Sequence, residues 1–218
     1  MGLREQELYR LYEALERWGC PKGGPAQLRE CQPPAESGVY FFFEPGEERA
    51  NGDPRIVRVG ESGDLRRRLL RNHLNGTHRD NRGVSSRFRR DIGQALIERE
   101  GLVCRTWMDD ADPSASDDLA AERLLEDRVT SVISAMPVTW VTVEQGERQD
   151  LERGIIGLLS NWDREAVDPP SENWLGRYHP WPIMRSGLWN AKHMKTPWMA
   201  GLDCAERLAG SRDGREEV

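Results

Sequence analysis

The chain has 218 residues, 37% of them apolar and 31% charged, with a net charge of −6. That length supports one hydrophobic core with elaborations, and that composition excludes disorder of the whole chain. No apolar run is long enough to span a bilayer, so no membrane partner is expected. The charged opening MGLREQELYR lacks the apolar stretch of an export signal, which points to a cytoplasmic protein. The four cysteines show no C-x-x-C spacing and read as reduced thiols, not zinc ligands.

Leu8, Leu11, Tyr12, Leu15 and Trp18 recur at spacings of three and four, which predicts an amphipathic helix over 3–18. Its stripe either packs on the core or docks a partner. A Pro- and Gly-rich connection leads to Ser37. The run Gly38–Phe43 predicts a strand, Pro45-Gly46 and Asn51-Gly52 predict turns, and Arg55–Val59 predicts an antiparallel second strand ending at Gly60. Ser62 or Asp64 can cap a helix with Leu65, Leu69 and Leu70 on one side. Arg66, Arg67, Arg68 and Arg71 occupy the rest of its surface, and His73 follows.

A polar loop then carries His78, Arg79 and Arg82. Ser85 or Ser86 can cap the next helix, whose apolar side is Phe88, Ile92, Ala95 and Leu96. Arg87, Arg89 and Arg90 fall in its first turn, where the helix dipole disfavours cations. Phosphate contact would give these arginines a purpose; ion pairs with acids elsewhere are the alternative. Leu102–Met108 reads as a short strand. The acidic loop after it lacks the Gly and terminal Glu of a calcium loop. A helix over 119–135 and a strand over 138–143 follow. Leu151, Ile155, Ile156, Leu158 and Leu159 predict a largely buried helix, with Glu152 beside its apolar surface. A carboxylate in that position is expected to be paired or metal-bound. Of the late tryptophans Trp162, Trp174, Trp181, Trp189 and Trp198, core area is the favoured role and base stacking the alternative.

Charge is segregated. Between Asp64 and Arg90 nine arginines face only Asp64 and Asp80, a local charge of +7 that leaves −13 for the remainder. That footprint suits a polyanion, with Arg66, Arg67, Arg71, His78, Arg79, Arg82, Arg87, Arg89 and Arg90 as candidate nucleic-acid contacts. A solvated face paired with the acidic remainder is the bland alternative.

The stretch from Gly38-Val39-Tyr40 through Arg58-Val59-Gly60 to Arg68 and His73 resembles the GIY-YIG nuclease family, with Arg58 where tyrosine is usual. Glu152 before Ile155-Ile156 matches that family's metal-binding glutamate, and Asn161 or Asn173 stands in for an asparagine found after it. The resemblance implies an α+β fold: a small antiparallel three-stranded sheet flanked by helices. A nuclease core over 37–162 would carry an N-terminal helix and linker (1–36) and a Trp- and Pro-rich extension (163–218).

It further implies a Mg²⁺- or Mn²⁺-dependent endonuclease acting on DNA, with RNA not excluded, as a monomer or homodimer. Restriction, mobile-element or defence roles fit such an enzyme. Tyr40 would be the general base, Arg68 would stabilise charge at phosphorus, His73 would assist proton transfer, and Glu152 would hold the metal. Arg58 cannot take a proton near neutral pH, so it would position phosphate or favour a Tyr40 anion. The competing expectation is a catalytically silent DNA-binding or regulatory protein on the same fold.

Overall fold

The computed structural model describes residues 1–79, 85–108, 116–180 and 182–213. Its elements in chain order are α1 (Leu3–Trp18), β1 (Ala26–Gln27), β2 (Gly38–Glu48), β3 (Pro54–Ser62), a π-helix (Arg67–Leu74), α2 (Arg87–Glu100), α3 (Ser116–Ala135), β4 (Pro137–Thr142), α4 (Arg148–Leu159), α5 (Ile183–Ser186) and α6 (Cys204–Asp213). The fold is α+β. One antiparallel sheet has the order β1-β4-β2-β3. The expected three strands are present, and two-residue β1 adds a fourth by pairing Ala26 with Val138.

Helices cover both faces of this sheet. Tyr40, Phe42, Val138 and Trp140 face Leu65, Leu69, Phe88, Ile92, Val129 and Ile133. Val39, Phe41, Phe43, Ile56 and Val59 face Leu8 and Leu11 of α1, Ile155 and Ile156 of α4, and Leu208 of α6. Double burial explains why Val39–Phe43 is continuously apolar where a half-exposed strand would alternate. The N-terminal helix stripe is spent on this core, and the Tyr12 hydroxyl accepts the Ile56 amide of β3 at 3.0 Å.

Leu102–Met108 is not a strand. Trp107 turns inward there: it is buried, stacks on His78 at 3.7 Å between centroids, and donates its indole N–H to the Arg90 carbonyl at 2.9 Å. Filling that hole outweighs the β-propensity of the segment.

The late tryptophans also serve the core. Trp162, Trp174 and Trp189 are buried, and Trp174 and Trp189 both donate to Glu44 Oε2, at 3.1 and 2.9 Å. Burial raises the Glu44 carboxyl above its usual range. Trp181 lies outside the described residues. The segment at Trp189 and Asn190 closes the exposed edge of β3. The Trp189 amide donates to the Val57 carbonyl at 2.7 Å, and Asn190 Oδ1 and Nδ2 clasp the Val59 amide and carbonyl at 3.0 and 2.7 Å. An unpaired strand edge would otherwise be open to aggregation.

Candidate active site

The hairpin and the π-helix build the centre. Tyr40 pairs with Gly60 across β2 and β3, and Phe42 with Arg58. The register then shifts, so that Phe43 pairs with Ile56. This bulge leaves Val57 as an extra residue, and Arg58 is aimed along the Tyr40 face, its guanidinium 4.5 Å over the Phe88 ring. An Arg58 amino group donates to the Trp189 carbonyl. Its Nε is buried and has no hydrogen-bond partner among the described residues.

The π-helix decides what reaches Tyr40. Asp64 Oδ1 accepts the Arg67 amide at 2.8 Å and starts the helix, as its sequence position suggests. Arg68 and His73 are five residues apart. On an α-helix, at about 100° per residue, they would diverge by roughly 140°. The wider i→i+5 winding puts them on one side. Arg68 Nε donates to Tyr40 Oη at 3.3 Å, and His73 Nε2 lies 2.8 Å from the same oxygen.

The histidine's protonation follows from its partners. His73 Nδ1 is 2.8 Å from Ser86 Oγ, which also accepts the Arg89 amide as the cap of α2. Among the described residues, His73 Nδ1 is the acceptor that the buried Ser86 hydroxyl reaches. The tautomer consistent with this carries its proton on Nε2 and donates it to Tyr40. Full burial, with Arg68, Arg58 and Arg89 nearby, holds His73 well below the usual 6.5 and so neutral. Arg68 Nε and His73 Nε2 therefore converge on Tyr40 Oη. Arg68 itself is held more firmly protonated, chiefly by Tyr40.

Tyr40, Arg58, Arg68 and Glu152 line one cleft of about 730 Å³, together with Glu61, Arg87, Arg153, Asn190, Lys192 and His193. Glu152 stands on α4, whose buried Leu151, Ile155 and Ile156 fix it against the sheet. Among the described residues its carboxylate has no hydrogen bond or ion pair. Partial burial raises its carboxyl above the usual glutamate range. Arg58 and Arg68 oppose that shift and Glu61 adds to it. Glu61 is itself engaged by Arg148 at 2.5 Å.

Among the described residues no three His, Cys, Asp or Glu side chains are grouped to hold a metal. One free carboxylate in an open cleft nevertheless fits Mg²⁺, which is commonly held by one or two carboxylates, water and substrate phosphate. Glu152 is the group that would hold it.

The remaining sequence candidates divide. Arg66, Arg67 and Arg71 are exposed on the π-helix and its approach, and Arg87 lies at the cleft. Arg89 is 1% exposed, with its guanidinium on Glu126 at 2.5 Å, Thr130 Oγ1 at 2.7 Å and the His73 carbonyl at 2.9 Å. His78 is buried on Glu126 at 2.7 Å, and Arg79 is paired with Glu122 at 2.6 Å. Arg90 is half-buried and donates to the Met108 carbonyl at 2.6 Å. Arg82 lies outside the described residues.

Of the expected asparagines, Asn161 donates to the Asp168 carbonyl at 3.3 Å and Asn173 is exposed; neither lines the cleft. Asn190 does. Sequence reading missed Asn190, Lys192 and Glu61; Glu61 sat one residue beyond Gly60, within the motif.

A family model described as the GIY-YIG domain matches residues 3–211. No curated protein and no solved structure matches the chain. No helix among the described residues is long and apolar enough to cross a membrane. The match spans nearly the whole chain, and the chain belongs to the GIY-YIG domain family.

Proposed function

We propose that the chain is a metal-dependent endonuclease that hydrolyses DNA phosphodiester bonds, in a restriction, mobile-element or defence setting. The supporting observation is the convergence of Arg68 Nε and His73 Nε2 on Tyr40 Oη, in the cleft that also holds the unpaired Glu152. In this reading residues 37–162 are the catalytic core, with 1–36 and 163–218 as additions to it. Four free cysteines suit a reducing, cytoplasmic compartment.

Tyr40 Oη, as the general base, takes a proton from the attacking water. His73 stays neutral and keeps the Tyr40 oxygen oriented. Arg68 and Arg58 face the phosphate and offset the charge that grows at phosphorus. Arg58 acts as a fixed cation, not a base. Glu152 would hold Mg²⁺ or Mn²⁺, which when bound polarises the phosphoryl and leaving oxygens. Arg66, Arg67, Arg71 and Arg87 supply backbone contacts. RNA offers the same phosphate chemistry, and cutting both strands of a palindrome symmetrically would call for a homodimer rather than a monomer.

A silent DNA-binding protein is the second reading. It rests on Arg58, whose amino group is committed to the Trp189 carbonyl where the family carries tyrosine. Cleavage of supercoiled plasmid with Mg²⁺, against EDTA and Glu152→Ala controls, decides between them. Nicking or linearisation that needs metal and Glu152 supports the nuclease. Intact plasmid from folded native protein, with Mn²⁺ also tried, supports the binder. Loss of bound-Mn²⁺ electron paramagnetic resonance signal in Glu152→Ala reports the metal site independently of activity.

A further inference from the structure

The opening of α2 holds a buried acid that the catalytic arrangement leaves unexplained. Arg87 and Asp91 are four residues apart there. The Asp91 side chain is 1% exposed and the Arg87 side chain 60% exposed. Arg87 Nε donates to Asp91 Oδ1 at 2.8 Å. His179 Nε2 lies 3.5 Å from that same oxygen, and Asp91 Oδ2 is buried with no hydrogen-bond partner.

As a stabilising pair this is poorly built. A helix-stabilising i,i+4 pair places the acid first, and here the cation is first, at the positive end of the dipole. Burying a carboxylate with one oxygen unsatisfied adds a further cost. The arrangement does fix one thing. Arg87 is tethered through Nε alone, and among the described residues its two terminal nitrogens have no partner. Those nitrogens form the fork that matches a phosphate. Arg87 lines the cleft, and the preceding residue, Ser86, bonds His73.

We propose that Arg87 is a phosphate-binding residue of the cleft and that Asp91 is the positioning residue that aims it. The inference rests on the nuclease reading, because it assigns Arg87 to the backbone of the same substrate. Arg87 contacts a phosphate next to the scissile one, and Asp91 acts only through Arg87.

The test is a mutant cycle read by binding of a short labelled duplex of mixed sequence to the full chain. Ca²⁺ replaces Mg²⁺, across a sodium chloride series. Arg87→Ala weakens binding about tenfold, as loss of a charged hydrogen-bonding group does, and lowers the log–log salt slope by about one. Asp91→Ala weakens binding in the same direction, and Asp91→Asn, which keeps an acceptor, partly restores it. In the Arg87→Ala background, Asp91→Ala has no further effect on binding. An equal effect of Asp91→Ala in both backgrounds overturns the inference, as does a change in thermal unfolding with unchanged binding. If native protein binds and cleaves but Arg87→Ala behaves as native, this inference alone fails. If native protein binds without salt dependence, the nuclease reading fails with it.

Discussion

The Tyr40 ring lies directly over Gly60. A β-carbon built at Gly60 would fall 2.2 Å from both Tyr40 Cζ and Tyr40 Oη. The two residues are register partners on β2 and β3, so the glycine of the second strand motif exists to admit the tyrosine of the first. Gly60→Ala is expected to push the Tyr40 oxygen away from Arg68 and His73. A displacement near 1 Å can cost about 100-fold in rate, with a stability loss of roughly 1–3 kcal/mol from overpacking. Plasmid cleavage and thermal unfolding would measure the two effects. Near-native cleavage by Gly60→Ala would remove Tyr40 from the mechanism.

His73 makes stability depend on pH. Its folded pKa lies well below 6.5, so between that folded value and 6.5 the unfolded chain binds a proton that the folded chain does not. Stability is therefore fully present above 6.5 and falls with acidification, by at most about 1.4 kcal/mol per pH unit from this group. His73→Gln cannot titrate. The stability gap between native protein and His73→Gln should narrow as pH drops from neutral toward the folded value in denaturant unfolding. A gap that stays constant or widens would mean His73 is not held neutral.

Glu152 shows the reverse sign. Its folded pKa is raised, so above the unfolded value of 4.5 the ionised carboxylate costs the folded state stability. Glu152→Gln is expected to abolish metal-dependent cleavage while raising stability at neutral pH. A gain of about 0.5–2 kcal/mol is typical when a functional strain is removed. Activity of the native protein should also fail on the acid side at a pH above the ordinary glutamate range. Urea unfolding at pH 7 and a cleavage profile check both. A destabilised Glu152→Gln would mean that the carboxylate is a structural partner.

Much of this centre was legible because motif spacing encodes strand register. Gly38-Val39-Tyr40 and Arg58-Val59-Gly60 are two halves of one hairpin, and local turn signals join them. Glu152 was legible from its place beside a buried helix face. The π winding at Arg67–Leu74 was not, because α- and π-helices share the same apolar residues and differ only in backbone hydrogen bonds. Asn190 was hidden for another reason. It reaches the site by clasping the Val59 backbone across 131 residues of sequence, and no periodicity reports such a contact.

The arginine block is where composition misleads. Nine arginines read as one electrostatic surface, yet the structure turns part of it inward. The cause lies on α3, where Glu122 and Glu126, one helical turn apart, receive Arg79, Arg89 and His78. These acids sit more than thirty residues further along the chain, within the acidic remainder that the charge count set aside.

This split gives opposite expectations for two arginines. Arg89→Ala removes one partner from a buried pair and leaves Glu126 with His78 alone, which should cost about 3–5 kcal/mol. It would also free the His73 and Leu74 carbonyls that Arg89 now holds at 2.9 and 3.1 Å, loosening the end of the π-helix. Arg71 is exposed, and Arg71→Ala should change stability by no more than about 0.5 kcal/mol. Its effect belongs to binding, where one lost phosphate contact lowers the salt slope by about one. Unfolding curves and salt titrations of duplex binding on both variants separate the two roles. Equal stability losses would mean that the arginines share one structural role. An unchanged salt slope for Arg71→Ala would take the outer face of the π-helix out of the nucleic-acid path.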